Sequence, residues 1–272
     1  MPELPEVETV RRTLLPLIDG KTMESVLFLW EGVVANTSLA EMRTHLVGGR
    51  ICGITRRGKY LALIIAERGY LVVHLRMTGR LMVRTSADPY ERHLRALVQL
   101  SGESSLRFAD QRKFGRFYWA EDDAALANIA RVGPEPLADD FTAATLAAIT
   151  ARSNTNIKAV LLNQARLAGL GNIYADESLF RASIAPHRRA SSLSELEVER
   201  LWQAIRAALT AALEKGGTTF RDYVDGSGRQ GENQHYLLVY GKGGQPCPLC
   251  GCELLKERVA GRGTVYCPTC QK

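Results

Sequence analysis

Hydrophobic residues recur at two different spacings along the chain. Val7, Val10, Leu14 and Ile18 repeat every three to four positions, which predicts an amphipathic helix that ends at Gly20. From residue 22 to about residue 120, short apolar runs are separated by turn sequences, which is typical of an antiparallel sandwich or barrel. We expect strands at residues 22–29, 50–55, 60–66, 70–75, 80–83, 94–100, 105–109 and 116–119, and a short helix at residues 39–46.

The remainder of the chain has a helical pattern. Residues 133–137 (Gly-Pro-Glu-Pro-Leu) end the strand region and predict a linker. Helices are expected at residues 141–151, 157–164, 174–181 and 196–215. The last of these carries a capping box, Ser194 with Glu197. The glycine-rich residues 225–232 predict a mobile loop, and residues 237–240 lead into a cysteine-rich end.

Length and composition exclude several classes of protein. With 272 residues, 46% hydrophobic and 24% charged, the chain can bury a sizeable core, which excludes a disordered chain or a small disulfide scaffold. The longest apolar runs, residues 60–66 and 70–75, are too short to span a bilayer. The acidic, proline-rich N-terminus lacks the charge pattern of a secretory signal. We therefore expect a soluble cytoplasmic protein.

The net charge of +6 is modest, but basic residues cluster in two places. Such clusters fit either solvated strand ends or a surface for a polyanion such as nucleic acid. The first cluster is Arg50, Arg56, Arg57 and Lys59, and the second is Arg107, Arg112, Lys113 and Arg116.

Four of the six cysteines form two C-x-x-C knuckles separated by sixteen residues, and these are Cys247, Cys250, Cys267 and Cys270. Two such knuckles complete a tetrahedral four-thiolate site, and we expect one structural Zn²⁺ there with no open coordination position. Disulfides are the alternative, which a cytoplasmic location disfavours. Cys52 is expected in the core, and Cys252 is a less favoured substitute ligand.

Two further segments each allow two interpretations. Residues 169–174 (Gly-Leu-Gly-Asn-Ile-Tyr) fit either a plain helix hairpin or a helix–turn–helix element in which Asn172 caps the second helix. At the N-terminus, removal of Met1 would make Pro2 a secondary amine that can form an iminium, with Glu3 and Glu6 beside it for acid–base chemistry. The same residues are also ordinary signals for a helix start.

The sequence Pro-Glu-Leu-Pro-Glu-Val-Glu-Thr at residues 2–9 resembles that of the formamidopyrimidine-DNA glycosylases, bacterial base-excision enzymes for oxidised purines. Further motifs follow in the family order over essentially the whole chain. They lie at residues 57–60, 74–79, 112–115, 133–136, 169–174 and 216–219 and in the cysteine knuckles.

The resemblance implies an α+β multidomain fold. Residues 1–133 would form an N-terminal antiparallel β-sandwich catalytic domain with flanking helices. Residues 138–225 would form a helical helix–two-turns–helix domain that binds DNA, and residues 236–272 a β-hairpin zinc finger. The implied partner is damaged double-stranded DNA, bound by a monomer.

The resemblance also implies roles for individual residues. Pro2 resembles the nucleophile that attacks C1′ of the damaged nucleoside, and Glu3 the acid that assists it. Lys59 matches the proton donor for β-elimination, and Arg262 matches the residue assigned to δ-elimination. Glu6, close to Pro2 and Glu3 in sequence, is also expected to belong to the DNA-binding site.

Other positions match the family's contacts with DNA. Met77, Arg112 and Phe114 resemble the side chains that fill the gap left by an extruded base. His93, Arg112 and Asn154 fall at DNA-contact positions, although some relatives carry lysine in place of Asn154. Asn172 and Arg262 resemble ligands of the phosphates that flank the lesion.

The sequence is compatible with two other functions. Endonuclease VIII, of the same superfamily, acts on oxidised pyrimidines, but its N-terminus usually has glycine where this chain has Leu4. A non-catalytic DNA-binding protein with a zinc module is the other alternative. The joint presence of Pro2, Glu3 and Lys59 favours an enzyme.

Overall fold

The computed structural model describes residues 1–85 and 87–272, and the chain divides into two compact units. The first unit comprises Met1–Arg131 and Lys215–Gln234, and the second comprises Val132–Glu214 and His235–Lys272. Residues 215–225, which the resemblance places in the helical domain, lie in the first unit by this division, and the expected zinc-finger residues 236–272 lie in the second. Residues 215–225 belong to the first unit because Tyr223 lies in its hydrophobic core and Thr218 is hydrogen-bonded to Glu6.

The first unit contains the long N-terminal helix and the strands. Its helices are α1 (Leu4–Ile18), α2 (Leu39–Leu46) and α3 (Asp123–Ile129). Its strands are β1 (Met23–Phe28), β2 (Ile51–Arg57), β3 (Tyr60–Ile65), β4 (Gly69–His74), β5 (Gly79–Thr85), β6 (Leu94–Leu100), β7 (Ser104–Asp110) and β8 (Arg116–Ala120).

These strands form two antiparallel four-stranded sheets, with the strand orders β1-β6-β7-β5 and β2-β3-β4-β8. Both sheets contribute to one core together with α1 and α2, which confirms the predicted sandwich with flanking helices. The apolar face of α1 supplies Val7, Val10, Leu14 and Ile18, each fully buried, as its periodicity predicts.

Two local features of this unit differ from expectation. Cys52 is exposed rather than in the core, because a register shift between Ile51 and Gly53 turns this position outward. Helix α3 was not predicted from the sequence. Its N-terminus is capped by the Asp122 carboxylate, which accepts from the Ala125 amide, and it packs beside the outer face of β4 and β8.

The second unit contains four α-helices and one β-hairpin: α4 (Ala143–Ala151), α5 (Ile157–Leu162), α6 (Asn172–Arg181), α7 (Glu195–Glu214), β9 (Leu255–Val259) and β10 (Arg262–Tyr266). The predicted capping box of α7 is present, because Ser194 and Glu197 exchange backbone-to-side-chain hydrogen bonds. A small apolar cluster joins Phe180 of α6 to Val265 of β10 and to Cys247 and Cys267.

Residues 225–231, within the segment predicted as a loop, form a hydrogen-bonded turn. The Asp225 carboxylate accepts from the amides of Ser227 and Arg229, and the Gly226 amide donates to the Thr13 hydroxyl of α1. Within the described part of the chain, the helices are all too short or too polar to traverse a bilayer.

Candidate functional site

The N-terminus of α1 gathers two buried carboxylates. Glu3 is the N-cap, and it forms a reciprocal capping box with Glu6, whose Oε2 accepts from the Glu3 amide at 2.8 Å. Both side chains are buried, as is Pro2, whereas Met1 is exposed. The positive end of the helix dipole favours negative charge at this position. The structure therefore places Pro2, Glu3 and Glu6 together at one helix start.

Glu6 also holds the returning segment of the chain. Its Oε1 accepts from the Thr218 amide at 2.8 Å, and its backbone carbonyl accepts from the Tyr223 hydroxyl at 3.3 Å. Gly217 lies against the Glu6 side chain with φ of +84°, a conformation that favours glycine. Glu6 is 1% exposed. Its carboxylate is therefore directed at backbone amides inside the protein, where it fixes residues 216–223 against α1.

Lys59 lies in the two-residue turn between β2 and β3. Gly58 occupies the first turn position with φ of +55°, as a type II′ hairpin requires, and Arg57 pairs with Tyr60 across the turn. Lys59 is 4% exposed, which is unusual for lysine. A tight turn thus presents a buried ammonium group.

His74, at the end of β4, lies near this turn. The sequence analysis includes it in the motif at residues 74–79 but assigns it no role. Burial lowers the pKa of His74 to about 3, and the positive charges of Arg76 and Lys59 contribute in the same direction. Its Nδ1 accepts from the Arg76 amide at 3.0 Å, and its ring meets Tyr60 edge-on. His74 is therefore neutral at physiological pH and carries its proton on Nε2.

Asp110 joins two loops of the first unit. Its Oδ2 accepts from the amides of Phe114 and Gly115 at 2.8 Å each, and its Oδ1 accepts from the Arg112 amide at 3.2 Å. Oδ1 also accepts from the hydroxyl of Thr78, in the loop between β4 and β5. Asp110 is 1% exposed. One buried carboxylate thereby fixes the loop after β7 and the loop before β5.

The side chains carried by these two loops are exposed. Met77 and Phe114 are 40% and 46% exposed, although large apolar side chains are usually buried. The Arg112 guanidinium lies over the Phe114 ring, 4.6 Å from its centroid. The structure therefore brings the predicted set of Met77, Arg112 and Phe114 onto two mutually fixed loops.

His93 and Arg107, a member of the second basic cluster, both lie in the first unit. His93 is half-buried with φ of +70°, and its carbonyl accepts from the Asp110 amide at 3.0 Å. Arg107 is buried and donates to the backbone carbonyls of Pro89 and Thr85, so this member of the second cluster is structural.

In the second unit, Asn172 contacts the strand that begins with Arg262. The Asn172 Nδ2 donates to the Gly263 carbonyl at 2.8 Å. Asn172 is the first residue of α6 and its N-cap is Gly171, so the predicted capping role of Asn172 is wrong. Arg262 follows a two-residue turn in which Ala260 and Gly261 both have positive φ, as in a type I′ hairpin, and its side chain is exposed.

A buried ion pair anchors the same strand. Lys158 Nζ lies 2.6 Å from Asp176 Oδ1 and 2.7 Å from the Thr264 hydroxyl, and Asp176 Oδ2 accepts from the Val265 amide at 3.1 Å. Burial raises the pKa of Asp176 to about 6, although Lys158 acts in the opposite direction. Both side chains are inaccessible to solvent. The pair therefore fixes β10, and with it Arg262, to α5 and α6.

The four predicted ligand cysteines converge on one point. Their sulfur atoms lie within 4.8 Å of one another, with Cys247 to Cys270 at 3.9 Å and Cys250 to Cys267 at 3.5 Å. A tetrahedral zinc with bonds of about 2.3 Å places its sulfurs about 3.8 Å apart, so the geometry fits zinc and excludes disulfides. Cys252 lies outside this group and accepts from the Thr269 hydroxyl.

Asn154 is exposed on the segment between α4 and α5.

Three buried charged residues that hold these sites together were not predicted from the sequence, and these are Asp110, Lys158 and Asp176. Each is a charged residue inside or beside an apolar run, and this signal alone does not identify its partner.

Family comparisons agree with this arrangement. Residues 1–117 match the Formamidopyrimidine-DNA glycosylase N-terminal domain, and residues 132–224 match the Formamidopyrimidine-DNA glycosylase H2TH domain. Residues 244–272 match the zinc finger found in FPG and IleRS. This match and the four-sulfur geometry together confirm one structural zinc site.

Individual relatives match over the full length. The formamidopyrimidine-DNA glycosylase of Geobacillus kaustophilus is 46% identical over 275 residues, covering 100% of both chains. That of Moorella thermoacetica is 48% identical over 260 residues, covering 95% of each chain. A Lactococcus lactis FPG mutant in complex with DNA containing Fapy-dG has a TM-score of 0.94 at 38% identity, covering 100% of both chains. The Lactococcus lactis Fpg complex with abasic-site DNA has a TM-score of 0.93 at 39% identity, covering 99% of both chains.

Thr78→Val tests the connection between the two loops. Loss of the hydroxyl leaves Asp110 buried with one donor fewer, and we expect the free energy of unfolding to fall by about 1–3 kcal/mol. Amide exchange at Arg112 and Phe114 should quicken. Thr85→Val, at an exposed threonine that binds Asp88, is the matched control and should change stability by less than about 0.5 kcal/mol. Equal effects in the two variants would contradict the role of Thr78.

Lys158→Met tests the buried pair. Removing the cation leaves Asp176 buried and uncompensated, and we expect a destabilisation of about 3–5 kcal/mol, measured as the urea midpoint for zinc release from the intact protein. The double variant Lys158→Met/Asp176→Asn should recover part of this loss, because no uncompensated charge remains. Lys256→Met, at an exposed lysine of β9, is the control. Additive effects in the double variant would show that the two residues do not interact.

Proposed function

The chain belongs to the formamidopyrimidine-DNA glycosylase family, and from this premise we propose that it is a bifunctional DNA glycosylase and AP lyase of base excision repair. Its proposed substrates are oxidised purines, 8-oxoguanine and formamidopyrimidines, in duplex DNA. The observation that carries the proposal is the fixed, exposed set of Met77, Arg112 and Phe114 in the same unit as Pro2 and Lys59. The Lactococcus lactis neighbours, which bind Fapy-dG or abasic-site DNA, support the same substrate class.

A base inside a duplex must be extruded before an enzyme can act on it, at a cost of a few kcal/mol. Exposed apolar side chains on fixed loops are suited to enter the vacancy and offset this cost. We assign this role to Met77 and Phe114. Arg112, stacked on Phe114, has a planar set of donors that can bind the orphaned base.

The proposed chemistry begins at Pro2 after removal of Met1. The Pro2 nitrogen bonds to C1′ as the bond from C1′ to the base breaks, and the base leaves with the electron pair and gains a proton. Glu3 lies at the adjacent helix start and is assigned to protonate the departing base or the sugar ring oxygen. Ring opening then gives an iminium between Pro2 and the sugar.

Strand cleavage follows from the iminium, which acidifies the neighbouring C2′ protons. Loss of one of them expels the 3′ phosphate by β-elimination, and a second elimination expels the 5′ phosphate. We assign the proton transfers of the first step to Lys59, whose ammonium can exchange protons, and the second to Arg262. Glu6 is assigned a positioning role, because its carboxylate binds the amides of Glu3 and Thr218.

The remaining predicted residues are assigned to the DNA backbone. His93 in the first unit and Asn154, Asn172 and Arg262 in the second carry polar groups suited to phosphate oxygens, which hold the strand without reading its sequence. The structural zinc, held by four cysteines, supplies a rigid base for the hairpin that carries Arg262. We further propose that the protein acts as a monomer in the cytoplasm, where bacterial DNA lies.

Borohydride trapping tests the covalent step. Incubation with duplex DNA containing 8-oxoguanine should give a protein–DNA adduct at Pro2, because hydride reduces an iminium to a stable amine. Pro2→Gly, with its N-terminus verified by mass spectrometry, should lose most adduct and strand cleavage. Wild-type rates in this variant, or full activity of protein that retains Met1, would refute the assignment.

Arg112 and Lys59 carry the same charge but should have separable effects. Arg112→Ala should slow excision of a paired lesion and reduce discrimination of the opposite base by about 1–3 kcal/mol. The loss of rate on pre-formed abasic DNA should be smaller. Lys59→Ala should slow strand cleavage of abasic DNA by about 10²–10⁴-fold, as expected when a general acid–base group is lost. Single-turnover rates on both substrates measure this. Identical losses throughout would mean that both residues only bind phosphate.

A further inference from the structure

Glu8 is a buried acid of α1 to which no chemical step has been assigned. It is 8% exposed, and its carboxylate accepts from three arginines. Oε1 accepts from Arg11 Nη2 and Arg12 Nε, at 2.8 Å each. Oε2 accepts from Arg11 Nε at 3.0 Å and Arg56 Nε at 3.1 Å. These four hydrogen bonds fill the acceptor positions of the carboxylate.

The Glu8 carboxyl group is ionised. Burial alone would raise its pKa, but hydrogen bonds from Arg11 and Arg12, with the positive charges of Arg11 and Arg56, lower the pKa of Glu8 to about 2. Glu8 is therefore ionised at any pH at which DNA cleavage is measured. A charged, buried acceptor with a full set of donors is a rigid anchor for each of them.

Arg56 links this anchor to the turn that carries Lys59. It stands on β2, and its Nη1 donates to the Gly58 carbonyl at 3.0 Å. That carbonyl belongs to the peptide bond joining Gly58 to Lys59, so its direction determines where the Lys59 backbone nitrogen and Cα lie. A guanidinium is planar, and its bonds to Glu8 and to Gly58 therefore keep a fixed mutual geometry.

We propose that Arg56 is a positioning residue for Lys59 in the strand-cleavage step. Through Glu8, it ties the β2–β3 turn to α1, whose N-cap Glu3 follows Pro2. The guanidinium of Arg56 thereby helps to fix the position of the Lys59 backbone relative to α1. This inference rests on the role of Lys59 in the proposed function. In this proposal Arg56 acts through the backbone of the turn, by its hydrogen bonds to Glu8 and to the Gly58 carbonyl.

The decisive measurement compares two rates on pre-formed abasic duplex DNA, the rate of borohydride-trapped adduct formation and the rate of strand cleavage. Arg56→Met should slow cleavage about 10- to 100-fold relative to adduct formation, because a small displacement of an acid–base group has an effect of this size. Arg56→Lys should remain impaired, since an ammonium keeps the charge but lacks the planar pair of donors.

Arg12→Met is the matched control. Arg12 also donates to Glu8, but its side chain is 58% exposed and belongs to α1. Its ratio of cleavage to adduct formation should stay within about twofold of wild type, the scale of a surface change. A purely structural role for Arg56 would lower both rates together, or would be rescued by lysine. Either result would overturn the proposal.

Lys59→Met separates this proposal from the proposed function. If Lys59→Met slows cleavage and Arg56→Met does not, the positioning role alone is wrong. If Lys59→Met leaves cleavage unchanged, both the role of Lys59 and the action of Arg56 through it are refuted.

A spectroscopic measurement does not depend on activity. The amide ¹⁵N resonance of Lys59 reports on hydrogen bonding at the preceding Gly58 carbonyl. It should move in Arg56→Met and keep its wild-type position in Arg12→Met. An unchanged Lys59 resonance in Arg56→Met would overturn the proposal, even if the wild-type protein formed no covalent adduct.

Discussion

A buried carboxylate must be surrounded by donors, and this requirement helps to determine where several loops of this protein lie. Asp110 gathers the amides of three loop residues and the Thr78 hydroxyl. Glu6 gathers two amides from segments far apart in sequence. Glu177 accepts from the amides of three successive residues, 238–240, ahead of the zinc module. In each case the acid is buried, and its hydrogen bonds satisfy backbone amides of the segment that it binds.

This arrangement reconciles two requirements of a surface that binds DNA. In the proposed function Met77 and Phe114 enter the duplex, so they have to be exposed and contribute little to the core. Their backbone nevertheless has to be ordered in advance, because ordering a loop on binding would weaken affinity. Hydrogen bonds from the loop backbone to a buried acid provide this order without covering the side chains.

The sequence was sufficient for the elements that follow from periodicity and for the zinc ligands that follow from the two C-x-x-C motifs. The apolar stripe of α1 and the four-sulfur cluster both appear as predicted. Sequence patterns failed where a local irregularity or a distant partner decides the outcome. Cys52 is exposed because of a bulge that alternation does not reveal. Asn172 is a plausible cap by residue type, but Gly171 takes that position and the Asn172 amide binds Gly263.

The passage of the chain between its two units has a consequence for synthesis. The first unit needs Lys215–Gln234, which leave the ribosome only after most of the second unit. Glu6 and its partner Thr218 are 212 positions apart, so at roughly 5–20 residues per second their hydrogen bond waits about 10–40 s after Glu6 is made. The nascent N-terminal region, although first to emerge, completes its core after the helices that follow it. A growing chain therefore holds the start of α1 incomplete for most of translation, and this unit matures late even though its sequence comes first.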